Sequence, residues 1–234
     1  MVSLTEKLMF GLSKPVVRTY TGTMLNMDVC RKSPFPAGAK IIAPNHPSTT
    51  DPFYIAAMLG TQSFIMINDV LFQVPVLGEY LRRSGHIPVK PGCGQQAIDE
   101  ALEHLKAGHT IMIFPEGLIS PLTGGFHRPR TGVARLALAS GAPVFPVGIH
   151  LSKERIWKTW STVKGKSEPG YWYLRGPYNV TVGKPMRFHG DEEDRELVRE
   201  TAEQVMLKIK RLAYESRQRW YRTTGNFPGA VETT

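Results

Sequence analysis

The chain has 234 residues, of which 41% are hydrophobic and 21% charged. This composition excludes a disordered protein and fits one globular domain with a buried core. The formal net charge of +9 at pH 7 favours an anionic partner, such as nucleic acid, an anionic membrane or a phosphate-rich substrate. The two cysteines, Cys30 and Cys93, form no disulfide framework and fit a reducing compartment. We expect neither a transmembrane helix nor a signal peptide, because uninterrupted apolar runs of about 18 residues and a basic start are missing.

The first part of the chain alternates between helix-like and strand-like patterns. Residues 3–20 carry apolar side chains at helical spacing beside Lys7, Lys14 and Arg18, which predicts an amphipathic helix. The segments that follow are predicted, in chain order, as strands over 22–29 and 39–44, a helix over 52–59, a strand over 63–67, one or two short helices over 70–83 and a strand over 87–89.

The alternation continues to the end of the chain. Further predicted elements are a helix over 94–107, a strand over 110–114, a helix over 131–140, a strand over 144–149 and a helix over 191–213. This pattern indicates an α/β fold with a single domain, whose mostly parallel central sheet is flanked by helices and preceded by an N-terminal amphipathic helix. The expected organisation is a helix over 1–22 that is a candidate for membrane contact, a domain over 23–222 and a flexible tail over 223–234.

Residues 151–178 differ from the rest because they mix Trp and Tyr with Lys and Arg. Two interpretations stay open. Such side chains suit the interface of a membrane with water, with residues 153–175 as the contact. Alternatively, the segment forms a hairpin that packs its aromatic side chains on the sheet.

The most informative polar residues follow the predicted strand over 39–44. Asp51-Pro52 predicts the start of a helix, so His46 falls in a loop at the carboxyl end of a strand, where α/β proteins place their chemistry. A carboxylate bonded to one imidazole nitrogen allows the other nitrogen to take a proton from a hydroxyl. The alternative is that Asp51 only caps the helix and His46 is an ordinary loop residue.

A second polar motif, Phe114-Pro115-Glu116-Gly117, follows another apolar strand. Its combination with the Asn-His-x-x-x-x-Asp run of residues 45–51 resembles the glycerophospholipid acyltransferases, the family that includes the 1-acylglycerol-3-phosphate and lysophospholipid acyltransferases. Two weaker blocks of that family have counterparts at residues 85–90 and 142–147. The resemblance therefore runs in order across residues 45–148, about half the chain, and it implies the fold of that family and an O-acyltransferase activity.

The resemblance also assigns roles to residues. It makes His46 the general base and Asp51 the carboxylate that orients it, with no metal. Backbone N–H groups at the start of the helix near Asp51 are expected to stabilise the oxyanion. The residues to which it gives substrate binding are Lys90, Glu116, Gly117, Arg128 and Arg130.

Two departures from the family concern a phosphate on the substrate. Lys90 stands where the family has an arginine, and it lacks the flat bidentate fork of a guanidinium. Ile119 stands where the family has a second arginine. Arg128 and Arg130, which follow Gly124-Gly125, supply the missing charge in one interpretation and are solvated loop arginines in the other.

The reaction that the resemblance implies moves a fatty acyl group from acyl-CoA or acyl carrier protein to a hydroxyl of a lysophospholipid, foremost 1-acylglycerol 3-phosphate, without a cofactor. The expected partners are the acyl donor, the lysolipid and an anionic membrane surface, with the protein peripheral on the cytoplasmic face. The alternatives are an acyltransferase for another lipid or glycolipid hydroxyl, or a catalytically silent lipid-binding relative. No nucleic acid is expected, because no zinc, helix-turn-helix or RNA-binding signature is present.

Overall fold

A seven-stranded sheet forms the centre of the computed structural model, which describes residues 3–163 and 166–224. The strands are β1 (Met27–Arg31), β2 (Lys40–Pro44), β3 (Ser63–Asn68), β4 (Ile87–Val89), β5 (Thr110–Met112), β6 (Val144–Leu151) and β9 (Tyr178–Val182). Their order across the sheet is β1-β9-β6-β2-β5-β3-β4. The five strands from β6 to β4 run parallel, whereas β9 is antiparallel to β6 and pairs in parallel with β1.

Six helices accompany the sheet within the described residues. They are α1 (Leu4–Met24), α2 (Asp51–Leu59), α3 (Leu77–Arg83), α4 (Gly94–Lys106), α5 (Gly132–Ser140) and α6 (Arg195–Thr224). One apolar cluster joins one face of the sheet to α4, α5 and α6, and a second joins the other face to α2 and α3, with α1 packed outside them. All five residues of β2 are buried because helices cover both faces, and this explains why the four residues after Lys40 are continuously apolar.

Helix α6 lies unusually close to β6. A Cβ atom at Gly148 would be 2.0 Å from the backbone nitrogen of Ala213, so only glycine permits this approach. Polar contacts continue the packing: the buried Ser216 hydroxyl donates to the Gly148 carbonyl at 2.9 Å. The Arg219 guanidinium, for its part, donates to the Asp28 carboxylate and the Val180 carbonyl.

These contacts explain one of two differences from the predicted elements. The helix predicted over 191–213 begins at Arg195 and continues to Thr224. Its polar second half is bonded to groups of the sheet through Ser216 and Arg219, and the spacing of apolar residues in the sequence does not indicate such polar contacts. Residues 223 and 224 of the predicted tail are therefore helical, and residues 225–234 lie outside the described part of the chain. The strand predicted over 22–29 is present but begins later, since the N-terminal helix predicted over 3–20 continues to Met24 and β1 spans Met27–Arg31.

Most other elements agree with their predictions. The helices over 52–59, 94–107 and 131–140 and the strands over 39–44, 63–67 and 87–89 lie within two residues of their expected ends. The predicted α/β fold with its mostly parallel sheet is confirmed. Strong apolar periodicity and glycine at the helix ends account for this agreement: Gly60 and Gly141 both end a helix with positive φ.

The aromatic and basic segment forms a separate hairpin of β7 (Ile156–Val163) and β8 (Lys166–Tyr173). Tyr173 is fully buried, but Trp157 and Trp160 are 62% and 73% exposed. The predicted hairpin is therefore present, although it does not pack all its aromatic side chains on the sheet. Among residues 3–163 and 166–224, no helix is both long enough and apolar enough to cross a membrane.

Candidate active site

The site lies where β2 and β5 end at the same edge of the sheet. These strands are parallel neighbours, so the loops that follow them meet. His46 is in the first loop and Phe114 in the second, and their rings stack with centroids 4.1 Å apart. Asn45 fixes the first loop to β6, since its side chain exchanges two hydrogen bonds with the backbone of Ile149, at 2.7 and 3.1 Å.

His46 and Asp51 form the pair that the sequence predicts. The distance from His46 Nδ1 to Asp51 Oδ2 is 3.1 Å. This contact favours the tautomer with the proton on Nδ1, so that Nε2 carries the lone pair. Nε2 has no hydrogen-bond partner among the described residues, and the side chain is 17% exposed. The geometry therefore presents a basic nitrogen at an accessible position.

The Asp51 carboxylate is fully buried, and protein donors surround it. The Ser48 backbone N–H and hydroxyl donate to Oδ2 and Oδ1 at 2.7 and 2.6 Å. The Tyr178 hydroxyl donates to Oδ1 at 2.8 Å. Burial raises the pKa of Tyr178 well above its ordinary value, so the phenol keeps its proton and remains a donor. Asp51 thus orients His46 and does not act as the cap of α2.

Tyr178 reaches the site because β9 is antiparallel to β6. In this register Tyr178 lies opposite Leu151, so the first residue of β9 falls at the same sheet edge as the last residue of β6. Sequence reasoning missed this residue as a partner of Asp51. The signal is weak: Tyr178 is separated from Asp51 by 127 positions and belongs to a strand whose direction the sequence does not reveal.

Most backbone donors at the start of α2 already have acceptors. The backbone N–H of Asp51 donates to Ser48 O, that of Phe53 to Thr50 O, and that of Thr49 to Tyr171 O. The Thr50 N–H, at the N-cap of α2, has no acceptor among the described residues. Stabilisation of an oxyanion at this helix start stays a prediction.

Hairpin strand β8 supplies part of this network and is bonded to the loop that carries the site. The Tyr171 N–H donates to Thr49 Oγ1 at 2.9 Å. The Tyr173 carbonyl accepts from the Thr50 hydroxyl at 3.2 Å and from the Tyr54 hydroxyl at 2.8 Å. The loop between His46 and α2 is therefore tied to the hairpin as well as to the central sheet.

Glu116 joins the two loops from a buried position. Its Oε1 accepts from the His46 backbone N–H at 3.2 Å and from the Ser120 hydroxyl at 2.5 Å. Its Oε2 accepts from the His127 backbone N–H at 2.8 Å, and Ser120 N–H donates to the His46 carbonyl at 2.7 Å. The structure thus gives Glu116 a positioning role, whereas the sequence predicts substrate binding. That predicted contact with substrate stays a prediction.

Gly117 and Arg130 lie against each other beside Glu116. Gly117 has φ +66°, and a Cβ atom there would be 2.4 Å from Arg130 Nε. The glycine therefore allows both the turn and the close approach of the arginine. The Arg130 backbone N–H donates to the Pro115 carbonyl at 2.7 Å, which places this exposed guanidinium at the end of β5.

The other predicted substrate residues are less closely gathered. Arg128 is exposed and adjoins His127, which contacts Glu116. Lys90 follows β4 at the same sheet edge, two strand spacings or about 10 Å from β5. Neither these two residues nor the Arg130 guanidinium forms an ion pair with any described residue, so all three charges are available to a ligand.

The described residues include no cluster of three or more His, Cys, Asp or Glu that could hold a metal ion, and the metal-free mechanism stays a prediction.

The sequence profile of the family described as Acyltransferase matches residues 26–150, more than half of the chain and both loops of the site. The chain belongs to the acyltransferase family. The resemblance and the enzyme class predicted from its motifs are thereby confirmed. No curated protein sequence shows significant similarity to this acyltransferase.

A solved structure similar to this acyltransferase is that of the 1-acyl-sn-glycerophosphate (LPA) acyltransferase PlsC from Thermotoga maritima. The two share 23% sequence identity with a TM-score of 0.60, over 86% of this chain and 78% of the PlsC chain. At this identity the likeness concerns the fold, and it agrees with a single α/β domain preceded by an N-terminal helix.

The positioning role of Glu116 predicts the effect of Glu116→Gln. An amide presents N–H groups to three donors, so at least one hydrogen bond to a charged acceptor is replaced by a repulsive contact, and we expect a loss of about 1.5–3 kcal/mol in the free energy of unfolding. Denaturant unfolding without any substrate measures this loss. Glu103→Gln, at a surface pair with Lys106, is the matched control and should change stability by less than about 1 kcal/mol. Unchanged stability together with a raised acceptor KM would instead assign Glu116 to substrate binding.

Proposed function

We propose that this acyltransferase moves a fatty acyl group from an acyl thioester to a hydroxyl of a lysophospholipid, foremost 1-acylglycerol 3-phosphate, in phospholipid biosynthesis. The observation that carries the proposal is the His46–Asp51 pair at 3.1 Å, with Nε2 of His46 accessible at the edge of the sheet. The PlsC enzyme, which shares the fold, supports the choice of acceptor.

The mechanism follows from the protonation states at the pair. His46 Nε2 removes the proton of the acceptor hydroxyl as that oxygen attacks the thioester carbonyl, and Asp51 stabilises the imidazolium that forms. The tetrahedral intermediate then expels the thiolate, which takes the proton from Nε2 and leaves as a thiol. The products are the ester and the free thiol, and His46 returns to its starting state.

Direct transfer needs no acyl-enzyme intermediate. The sequence has no Gly-x-Ser-x-Gly elbow that would expose a nucleophilic serine. The Ser48 hydroxyl beside Asp51 is fully buried, so it is shielded from substrate. Acyl-CoA or acyl carrier protein acts as a co-substrate, and no further cofactor takes part in these steps.

His46→Ala should lower kcat by roughly 10²–10⁴-fold, the usual contribution of a general base, and Asp51→Asn should also lower it because the tautomer is no longer fixed. Release of free thiol from an acyl thioester, in the presence of excess lysophospholipid, measures the rate. His189→Ala removes an exposed histidine and is the control. Near-normal turnover by folded His46→Ala would refute the assignment of His46 as the base. Absence of turnover in the unaltered protein would instead leave a catalytically silent lipid-binding relative as the alternative.

We propose that the acceptor phosphate is bound by Arg130 with help from Lys90 and Arg128. Arg130 is the best placed of the three, because its guanidinium adjoins Gly117 at the end of β5. Arginine also binds phosphate through two parallel N–H donors. The Arg130 guanidinium belongs to the loop whose Phe114 stacks on the His46 ring, which suits an acceptor whose hydroxyl and phosphate are separated by a glycerol carbon chain.

Arg130→Gln should raise the KM for 1-acylglycerol 3-phosphate by about tenfold or more, while the KM for the acyl donor changes little, since a charged hydrogen bond contributes about 1.5–3 kcal/mol. Lys90→Gln should show the same selectivity with a smaller effect. Steady-state kinetics with each substrate varied in turn provides the measurement, and Lys184→Gln, an exposed charge elsewhere, is the control. Equal activity on neutral and phosphorylated acceptors, insensitive to these changes, would favour another lipid or glycolipid hydroxyl.

We propose that the protein acts as a peripheral protein on the cytoplasmic face of a membrane, to which α1 attaches it. Its inner face packs on α2 and α3, whereas Leu4, Leu8, Leu12 and Val16 form a stripe at four-residue spacing that is 58–83% exposed. An apolar stripe beside lysine and arginine suits insertion into the interface of anionic lipid. The exposed Trp157 and Trp160 of the hairpin provide a second candidate contact.

Replacing Leu4, Leu8 and Leu12 together by Ser should weaken binding to phosphatidylglycerol vesicles by tenfold or more, because each buried leucine contributes about 1.5–3 kcal/mol. Vesicle sedimentation at low and high salt measures binding. Leu207→Ser, at an exposed leucine of α6, is the control. Retention of binding by the triple variant, with loss in Trp157→Ala/Trp160→Ala, would move the anchor to the hairpin. Failure of the unaltered protein to bind at low salt would exclude a peripheral membrane protein.

A further inference from the structure

A second polar surface lies beside the active-site loops and is not used by the steps above. It is an open cleft of about 480 Å³, within the size range of small-ligand sites. We call it the α6 cleft, because one wall is the second half of α6 and the opposite wall is formed by residues 150–154 and the glycine-containing loop 123–126. Asn45, Pro47 and Ser120 also line it, so its inner end reaches both loops of the catalytic site.

The α6 cleft is positively charged. Lys153, Lys210 and Arg217 line it, and Glu154 is the only carboxylate among the described lining residues. Lys153 donates to the carbonyls of residues 121 and 122 at 2.8 and 3.2 Å. Neither it nor Lys210 forms an ion pair with a described residue, so their charges are not neutralised. The three cations face one concave surface, and their combined charge attracts an anion to it.

Aromatic side chains also line the cleft, and two of its side chains carry a buried polar atom that lacks a hydrogen-bond partner among the described residues. Trp220, Tyr214 and Tyr221 project from the same face of α6 as the two cations of that helix. Trp220 Nε1 and His150 Nε2 are buried without a hydrogen-bond partner in the part of the chain that the structure describes. Burial together with Arg217 and Lys153 lowers the pKa of His150 to about 4, so its imidazole is neutral at pH 7.

We propose that the α6 cleft binds the phosphorylated adenosine end of the acyl donor coenzyme A. Phosphates suit the three cations, and an adenine ring suits the flat faces of Trp220 and Tyr214. The inner end of the cleft leads the pantetheine arm and its thioester toward His46. The inference rests on the proposed acyl transfer and adds which donor is used and where its head lies.

Two other occupants fit the observations less well. The acceptor phosphate has its own exposed cations, Arg130 and Lys90, at the ends of β5 and β4, whereas the α6 cleft lies beyond β2 on the side of β6. Acyl carrier protein presents a broad acidic surface, which calls for cations on a flat or convex face. Here the cations line a concavity together with aromatic rings. Both occupants remain outcomes of the test.

The experiment compares Lys210→Gln/Arg217→Gln with the control Arg199→Gln/Arg211→Gln, which removes two exposed charges from the same helix outside the cleft and therefore matches the net charge. Calorimetric titration of each protein with coenzyme A, dephospho-coenzyme A and pantetheine measures binding without turnover. We expect the cleft variant to bind coenzyme A about 10- to 100-fold more weakly than the control, with no change for pantetheine, which carries no phosphate. Trp220→Phe should also weaken coenzyme A binding, and circular dichroism should show that all variants are folded.

Kinetics then separates the occupants. With acyl-CoA varied, the cleft variant should show a raised KM, whereas the KM for 1-acylglycerol 3-phosphate should remain that of the control. Equal coenzyme A affinity in the two double variants overturns the proposal. So does a raised acceptor KM with unchanged coenzyme A affinity, or a defect confined to acyl carrier protein as donor. If the unaltered protein binds coenzyme A through the cleft but transfers no acyl group to any lysophospholipid, the cleft assignment stands and the proposed acyl transfer fails.

Discussion

The whole site depends on one buried charge, the carboxylate of Asp51. A carboxylate removed from water is strongly destabilised unless protein donors replace the lost hydration. Here the donors come from the loop itself through Ser48, from His46, and from Tyr178 at the start of β9. Each bond satisfies the carboxylate and also fixes an element, so the loop cannot move away from β9 without removing the Tyr178 donor from a buried carboxylate. The geometry of the His46–Asp51 pair is thus coupled to the packing of the sheet.

Glu116 fixes the second loop in the same way, as a buried carboxylate that accepts hydrogen bonds from several segments. It is the other buried carboxylate at the sheet edge, and its donors belong to the His46 loop, to its own loop and to the segment that leads to Arg130. The two buried carboxylates therefore have different structural roles. Asp51 orients the His46 imidazole, and Glu116 holds the three segments that donate to it in fixed positions. Under the proposed mechanism, a rigidly held base loses little conformational entropy when the acceptor binds. This prior positioning lowers the entropic part of the activation barrier.

The sequence predicted the fold and the contact between His46 and Asp51 because both depend on local signals. Alternating βα patterns fix the direction of strands, and parallel neighbours bring the ends of β2 and β5 together, so His46, Asp51, Glu116 and Gly117 could be expected at one edge. The contact of Tyr178 with Asp51 could not be predicted, since it depends on the reversed direction of β9. The role of Glu116 was also hidden, because a carboxylate that binds substrate and one that binds backbone N–H groups occupy the same motif. The α6 cleft could not be predicted, because Lys210 and Arg217 lie in a polar stretch that is typical of a solvated helix face, while Lys153 is far from them in the sequence.

The hairpin has a consequence of a mechanical kind. Residues of β8 are hydrogen-bonded to Thr49, Thr50 and Tyr54, on either side of the Asp51 carboxylate, while the tryptophans on the paired strand face solvent. A force applied to the tryptophans would pass through the β7–β8 ladder to the loop that carries His46. Under the proposed function, membrane attachment through the hairpin and turnover would therefore be coupled. A tryptophan variant that loses lipid affinity is expected to alter the rate on a dispersed substrate as well, whereas a leucine variant of α1, whose stripe has no bond to that loop, is expected to alter affinity alone.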